Sequence, residues 1–166
     1  MKICIANQTQ LDEILAIYED ARQFMRENGN PDQWSDKHPT PKAVISDIEN
    51  RKLRTVEDDD GSILGVFFFD IANDSTYDYI FDGNWLNDEE YGVIHRIAVA
   101  REAHGKGVAR FCFEYASTLC SNIRIDTHEK NTPMQNALLK FGFVRCGKIY
   151  VRDHEERIAF QKIVKR

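Results

Sequence analysis

The apolar positions of this chain recur at spacings of three and four in some stretches and run together in others, and the changes between the two mark its elements. Lys2–Ala6 is a short apolar run that reads as an edge strand. Thr9 is a candidate N-cap with Asp12 and Glu13 behind it, and Leu11, Ile14, Leu15, Tyr18, Ala21 and Met25 then share one helical face. Asn28-Gly29, ahead of Pro31, predicts the stop of that helix. Thr40-Pro41 opens a second helix, with Thr as cap, Pro at the first helical position, and Val44, Ile45 and Ile48 as its apolar side. Leu53–Glu57 and Ile63–Ile71 flank the turn Asp58–Ser62 and predict a hairpin, the second strand apolar enough to be buried on both faces.

Ala72–Glu90 breaks the regularity. It sets Tyr77, Tyr79, Phe81 and Trp85 among Asp74, Asp78, Asp82, Asp88, Glu89 and Glu90, and reads either as a functional loop or as an extension of the hairpin with ordinary core aromatics. Ile94–Val99 is the next strand, and from Gly107 a helical pattern follows through Val108, Phe111, Cys112, Tyr115, Ala116 and Leu119. Ile123–Asp126 is a short strand with a polar continuation to Glu129. Asn131-Thr132-Pro133 opens a helix with Met134, Ala137, Leu138 and Phe141 inside, stopped by Gly142. Phe143–Val151 and Ile158–Val164 are the last strands, joined by the charged turn Arg152–Arg157. The outline β-α-α-β-β-β-α-β-α-β-β describes an α/β domain with a mixed sheet, hairpins early and late and strand–helix–strand units between them.

Composition narrows the class. The 166 residues suit one domain spanning 1–166, and 42% apolar with 30% charged residues is an ordinary globular balance. A net charge of −5 without a basic stripe argues against a nucleic-acid partner. Cys4, Cys112, Cys120 and Cys146 are scattered, with no C-x-x-C pair, and read as reduced thiols. The N-terminal MKICIANQTQ lacks a signal-peptide apolar region, and no run is long enough to span a bilayer, so a cytoplasmic protein without a membrane partner is expected.

The stretch with the most specific chemistry is Ile94–Ala109, a strand, a glycine turn and a helix start. Glycines let a ligand approach the backbone, and the first helical turn offers unpartnered N–H groups with partial positive charge. Together they suit a phosphate or pyrophosphate, although glycine pairs also serve merely to turn a chain. The loop is neither G-x-x-x-x-G-K-S/T nor G-x-G-x-x-G with an acidic residue further on.

Two motifs in order resemble the GNAT superfamily of N-acetyltransferases along nearly the whole chain. The strand Ile97-Ala98-Val99 is similar to that family's L-x-V strand. The loop His104-Gly105-Lys106-Gly107-Val108-Ala109 is similar to its Gln/Arg-x-x-Gly-x-Gly/Ala acetyl-CoA loop. Asn131 through Gly142-Phe143 matches the spacing of its N-x-x-A-x-x-L-Y-x-x-x-G-F motif, with Ala137 in the position of the Leu. The resemblance implies a mixed, mostly antiparallel sheet of about six or seven strands flanked by about four helices. It implies acetyl-CoA as cosubstrate without a metal, a cofactor site at Ile97–Val99, His104–Ala109 and Asn131, and N-terminal helices that shape the acceptor pocket. A homodimer would suit the family. The chain departs from the pattern where His104 replaces Gln or Arg, and where Leu138 takes the position of the Tyr that in many members protonates the leaving thiolate.

Acetyl transfer to an amine requires a base, since an alkyl ammonium must lose a proton. His95, two residues before Ile97, is the first candidate, against the alternative of a buried structural His; Glu90 and His128 are the others. Asp126 either orients substrate or caps the turn after its strand. Tyr150 is a substitute acid that no spacing requires, and Cys146 lacks a base partner for a nucleophilic role. Trp34 is either a hydrophobic plug or a pocket wall, and Trp34 and Trp85 with the acidic stretch suggest a small cationic amine as acceptor. The rivals are a non-catalytic CoA-binding module, acetylation of a protein amine, and an unrelated ATP-binding domain.

Overall fold

The computed structural model describes residues 1–35 and 37–165. Its elements are β1 (Lys2–Ile5), α1 (Leu11–Glu27), α2 (Pro41–Glu49), β2 (Leu53–Glu57), β3 (Ile63–Ile71), β4 (Gly92–Val99), α3 (Val108–Leu119), β5 (Asn122–Thr127), α4 (Thr132–Lys140), β6 (Val144–Val151) and β7 (Glu155–Ile163). The strands form one seven-stranded sheet in the order β1-β2-β3-β4-β5-β7-β6. Every neighbouring pair is antiparallel except β4 and β5. None of the described helices is long and apolar enough to cross a membrane.

Local chemistry sets most element ends. A short 3-10 turn, Gln8–Gln10, precedes α1, and the cap is Asn7, whose side chain accepts from Thr9 N while Gln10 Oε1 accepts from Asn7 N. This capping box starts the helical segment two residues before the predicted Thr9 cap. Thr40 caps α2 through Ala43 N, and Asn131 caps α4 through Met134 N, both with Pro in the first turn as expected. The loop before α2 contains Asp36, which lies outside the described residues. The Arg152–Arg157 turn is shorter than predicted. A 3-10 turn covers Arg152–His154, and β7 begins at Glu155.

α1 packs on β3, β4 and α2, and α3 on β3, β4 and β5. Buried Tyr18, Phe67, Ile94, Phe113, Ile123 and Phe160 belong to the main core. Tyr77, Tyr91, Val93, Ile149 and Ala159 form a second cluster. The Ala72–Glu90 segment closes that second cluster. It contains a 3-10 turn at Ser75–Tyr77, and Phe81 exchanges two backbone hydrogen bonds with Lys148 of β6. All four cysteines are free, and burial raises the thiol pKa of Cys112 and Cys146.

Candidate active site

The site begins where the sheet opens. The β4–β5 ladder holds only Gly92↔Ile123 and Val93↔Arg124, although both strands continue. From Ile94 onward the β5-facing edge of β4 therefore has no strand partner. On its other side β4 carries a bulge: Phe68 pairs with His95 and Val66 with Ala98, so three steps on β4 oppose two on β3. Arg96 takes up the extra residue at φ 49°, and its carbonyl accepts from Tyr18 Oη at 2.9 Å. The Arg96 guanidinium is held by Asp47 at 2.7 Å and lies over the Phe68 ring.

A cleft of about 780 Å³ runs along the free edge, walled by α1, β4, α3 and α4. Ile97, Ala98 and Val99 line it, as do Gly105, Gly107, Val108 and Ala109. Gly105 and Gly107 sit at φ 78° and 81°, where a Cβ is disfavoured. Gly107 is the N-cap of α3 and supplies no side-chain cap, and the amides of Val108, Ala109 and Arg110 have no acceptor among the described residues. His104 lines the cleft as well, with its Nε2 3.2 Å from the Val99 carbonyl and its ring packed edge-on to Phe24. Lys106 is exposed and outside the lining.

A second cavity of about 220 Å³ adjoins the first, sharing Met25, Ile97, Asn131 and Met134 with it. His95 and Asp126 line it, and so does Asp74 from the irregular segment. His95 Nε2 is 2.6 Å from Asp74 Oδ2, and His95 Nδ1 is 3.8 Å from Asp126 Oδ1, too long for a hydrogen bond. Tyr77 Oη donates to Asp126 Oδ1 at 2.7 Å. Burial by itself would raise the Asp74 pKa. Hydrogen bonds from His95 and Thr76, with the His95 charge, outweigh that and bring it from 3.8 to about 2. Asp74 is thus an acceptor only, so Nε2 carries the imidazole proton when the ring is neutral and Nδ1, 3.8 Å from Asp126 Oδ1, keeps its lone pair.

The other sequence candidates are dispersed. Trp34 is both plug and wall: it is 8% exposed, packs edge-on to Tyr18 and lines the small cavity. Trp85 packs on Tyr77 and under the Arg124 guanidinium, and its Nε1 donates to Tyr77 O, outside both cavities. Glu90 is exposed, with its carbonyl accepting from Asn122. His128 lines a separate surface pocket beside Asp32 and Glu129, and its Nδ1 accepts from Lys130 N. Asn131 borders both cavities and donates to Gln33. Leu138 is fully buried. Tyr150 stacks on Phe81 at 4.6 Å, away from both cavities. Sequence reasoning passed over His38, Arg152 and Arg157, and named Asp74 only as one of the acidic residues of the irregular segment. Only Asp74 carried a signal, an Asp-x-Thr turn in which its side chain accepts from Thr76 N.

The β4 and β5 strands thus diverge beside a helix start whose first amides are unpartnered among the described residues. The family model for the GNAT acetyltransferases matches residues 12–143. This chain belongs to the GNAT acetyltransferase family and is an acyltransferase. A GNAT acetyltransferase from Streptococcus agalactiae 2603 is 31% identical, covering 99% of this chain and 96% of its own, with a TM-score of 0.91. A putative acetyltransferase from Staphylococcus aureus Mu50 is 27% identical over 99% and 100%, with a TM-score of 0.72. A GNAT acetyltransferase from Listeria monocytogenes 4b F2365 shares the fold at 20% identity over 98% and 94%, with a TM-score of 0.73. No curated protein matches this chain. As in GNAT proteins generally, acetyl-CoA is the implied acyl donor.

Proposed function

We propose that this GNAT protein transfers the acetyl group of acetyl-CoA directly to the amine of a small molecule, with His95 as the base. The observation that carries this reading is the junction of the two cavities at the β4 bulge. There the larger cleft meets the smaller cavity that holds His95 between Asp74 and Asp126. Acetyl-CoA contributes an activated thioester. The free amides at the start of α3 suit its pyrophosphate, and the unpaired edge of β4 suits its amide-bearing arm.

The chain's own groups account for the proton. An acceptor ammonium fits between His95 Nδ1 and Asp126 Oδ1, where the 3.8 Å gap leaves both acceptors unsatisfied by each other. Asp74 fixes the tautomer and steadies the imidazolium that forms, as the carboxylate does in a Ser-His-Asp triad. The neutral amine then forms a C–N bond as the C–S bond breaks, and its second proton passes to the departing CoA thiolate, giving the free thiol. A thiol with a pKa of about 8.5 leaves as thiolate with modest assistance, which relaxes the need for the absent Tyr acid. The small cavity, below the roughly 300 Å³ of a drug-sized pocket, favours a small acceptor over a protein chain.

The test is the rate of CoA release with a panel of primary amines for the wild type and His95→Gln. General-base loss predicts kcat lower by roughly 10²- to 10⁴-fold, with the acetyl-CoA Kd unchanged by calorimetry. A His95→Gln enzyme that keeps its kcat removes His95 from the chemistry.

A further inference from the structure

The small cavity is lined by groups of both signs: Asp74 and Asp126 with His95, and Arg96, Arg152 and Arg157 with His38. Four guanidiniums converge around His38. The Arg22 guanidinium donates to the His38 carbonyl at 3.0 Å, and the Arg152 guanidinium to its Nδ1 at 2.7 Å. Burial first, then the charges of Arg152, Arg96, Arg157 and Arg22, push the imidazole pKa of His38 down to about 3. His38 is therefore neutral and compensates none of these charges.

Three of the four guanidiniums have carboxylates. Arg22 pairs with Glu19, Arg96 with Asp47 and Arg157 with Glu155. Arg152 has no carboxylate partner among the described residues; its hydrogen bonds run only to the neutral His38 ring. It stands exposed on the turn between β6 and β7, with the rest of its planar donor fork free. Such a fork is matched to a carboxylate, which can accept two parallel N–H bonds.

We infer that the acceptor is a small amino acid, bound as a zwitterion with its ammonium between His95 and Asp126 and its carboxylate on Arg152. This rests on the proposal that the cavity receives the acceptor amine. The alternatives fit the charges less well. A simple amine leaves Arg152 uncompensated. A polyamine brings a second cation towards the guanidiniums, and a protein N-terminus or lysine offers no carboxylate beside its amine.

The experiment compares CoA release with L-amino acids, their carboxamides and their decarboxylated amines, in the wild type and in Arg152→Gln and Arg152→Lys. At least one amino acid is expected to exceed its carboxamide in kcat/KM by roughly 10- to 100-fold. In Arg152→Gln that ratio collapses towards one through a raised amino-acid KM, while Arg152→Lys retains part of it. Arg152 is exposed, so an unchanged melting temperature and acetyl-CoA Kd certify the variants. Carboxamides or amines used as well as their amino acids, or an Arg152→Gln ratio equal to that of the wild type, overturn the inference while leaving small-amine acetylation standing. Bound acetyl-CoA with no acetylation of any acceptor overturns the small-amine reading, and this inference with it.

Discussion

His95 and Asp74 lie 21 positions apart in sequence and 2.6 Å apart in space, and that contact fixes which ring nitrogen carries the proton. It also fixes a pH dependence. The Asp74 carboxyl is brought from 3.8 to about 2, so its charged form is favoured in the folded state. A lowered carboxylate pKa stabilises the fold above the unfolded value and loses that contribution as pH falls through the folded one. Here the window is about pH 4 to pH 2. Asp74→Asn should be less stable than wild type at pH 5, with the gap narrowing towards pH 2, in urea midpoints measured at each pH. A constant gap across the window would show that the ionised carboxylate contributes nothing to the fold. The half of this pair on a strand was legible: a His inside an apolar β-branched run is conspicuous. Asp74 was one of six acidic residues in an irregular segment, and no local period states which of them turns back onto β4. Arg152 was hidden the same way, inside a charged turn whose partner His38 is 114 positions away.

Elements were legible where their ends are written locally. The glycine pair, the Thr40 and Asn131 caps and the stop at Asn28-Gly29 depend on neighbours within four residues, and a sequence displays those. The Thr9 cap was misplaced because Asn7 and Gln10 form a reciprocal box whose weight a single-residue reading misses. The bulge at Arg96 could not be read at all, because it exists only against β3. The α3 start yields its own prediction. Gly107 has φ 81°, and no atom lies within 4 Å of where a Cβ would stand, so a side chain there meets conformational strain but no clash. Gly107→Ala should cost roughly 1–2 kcal/mol of stability and spare most acetyl-CoA binding. Gly107→Glu should carry a similar stability cost but lose more than about tenfold in acetyl-CoA affinity, because its charge opposes a phosphate at the free amides. Calorimetric titration of the two variants decides it, and equal affinities would move the phosphates away from this helix.

At the scale of the molecule, the strand order was the least legible feature. Two late strands were expected as a hairpin, and β6 and β7 do pair. Yet it is β7 that enters the sheet beside β5, leaving β6 at the edge. That choice places the turn bearing Arg152 beside the cavity under β4, and only long-range pairing specifies it. The same topology makes β4 and β5 the one parallel pair in the sheet, and these strands separate after two paired positions. The cleft they open is walled by α1 together with β4, α3 and α4, so a ligand filling it joins the N-terminal helix to elements more than 60 residues later in the chain, surfaces that exist together only in the folded state. Linkage then sets the size of the effect. A ligand that binds only the native form adds about 2.7 kcal/mol at a hundred times its Kd. For a chain of this length that corresponds to a melting temperature higher by about 5–11 °C. Acetyl-CoA at that concentration should produce this shift and slow amide hydrogen exchange in the first turns of α3 and α4. ATP, which lacks the arm suited to the β4 edge, should give a clearly smaller shift at the same concentration. Equal shifts from the two ligands would mean that the phosphate site alone is used and that the splayed edge of β4 does not contribute to binding.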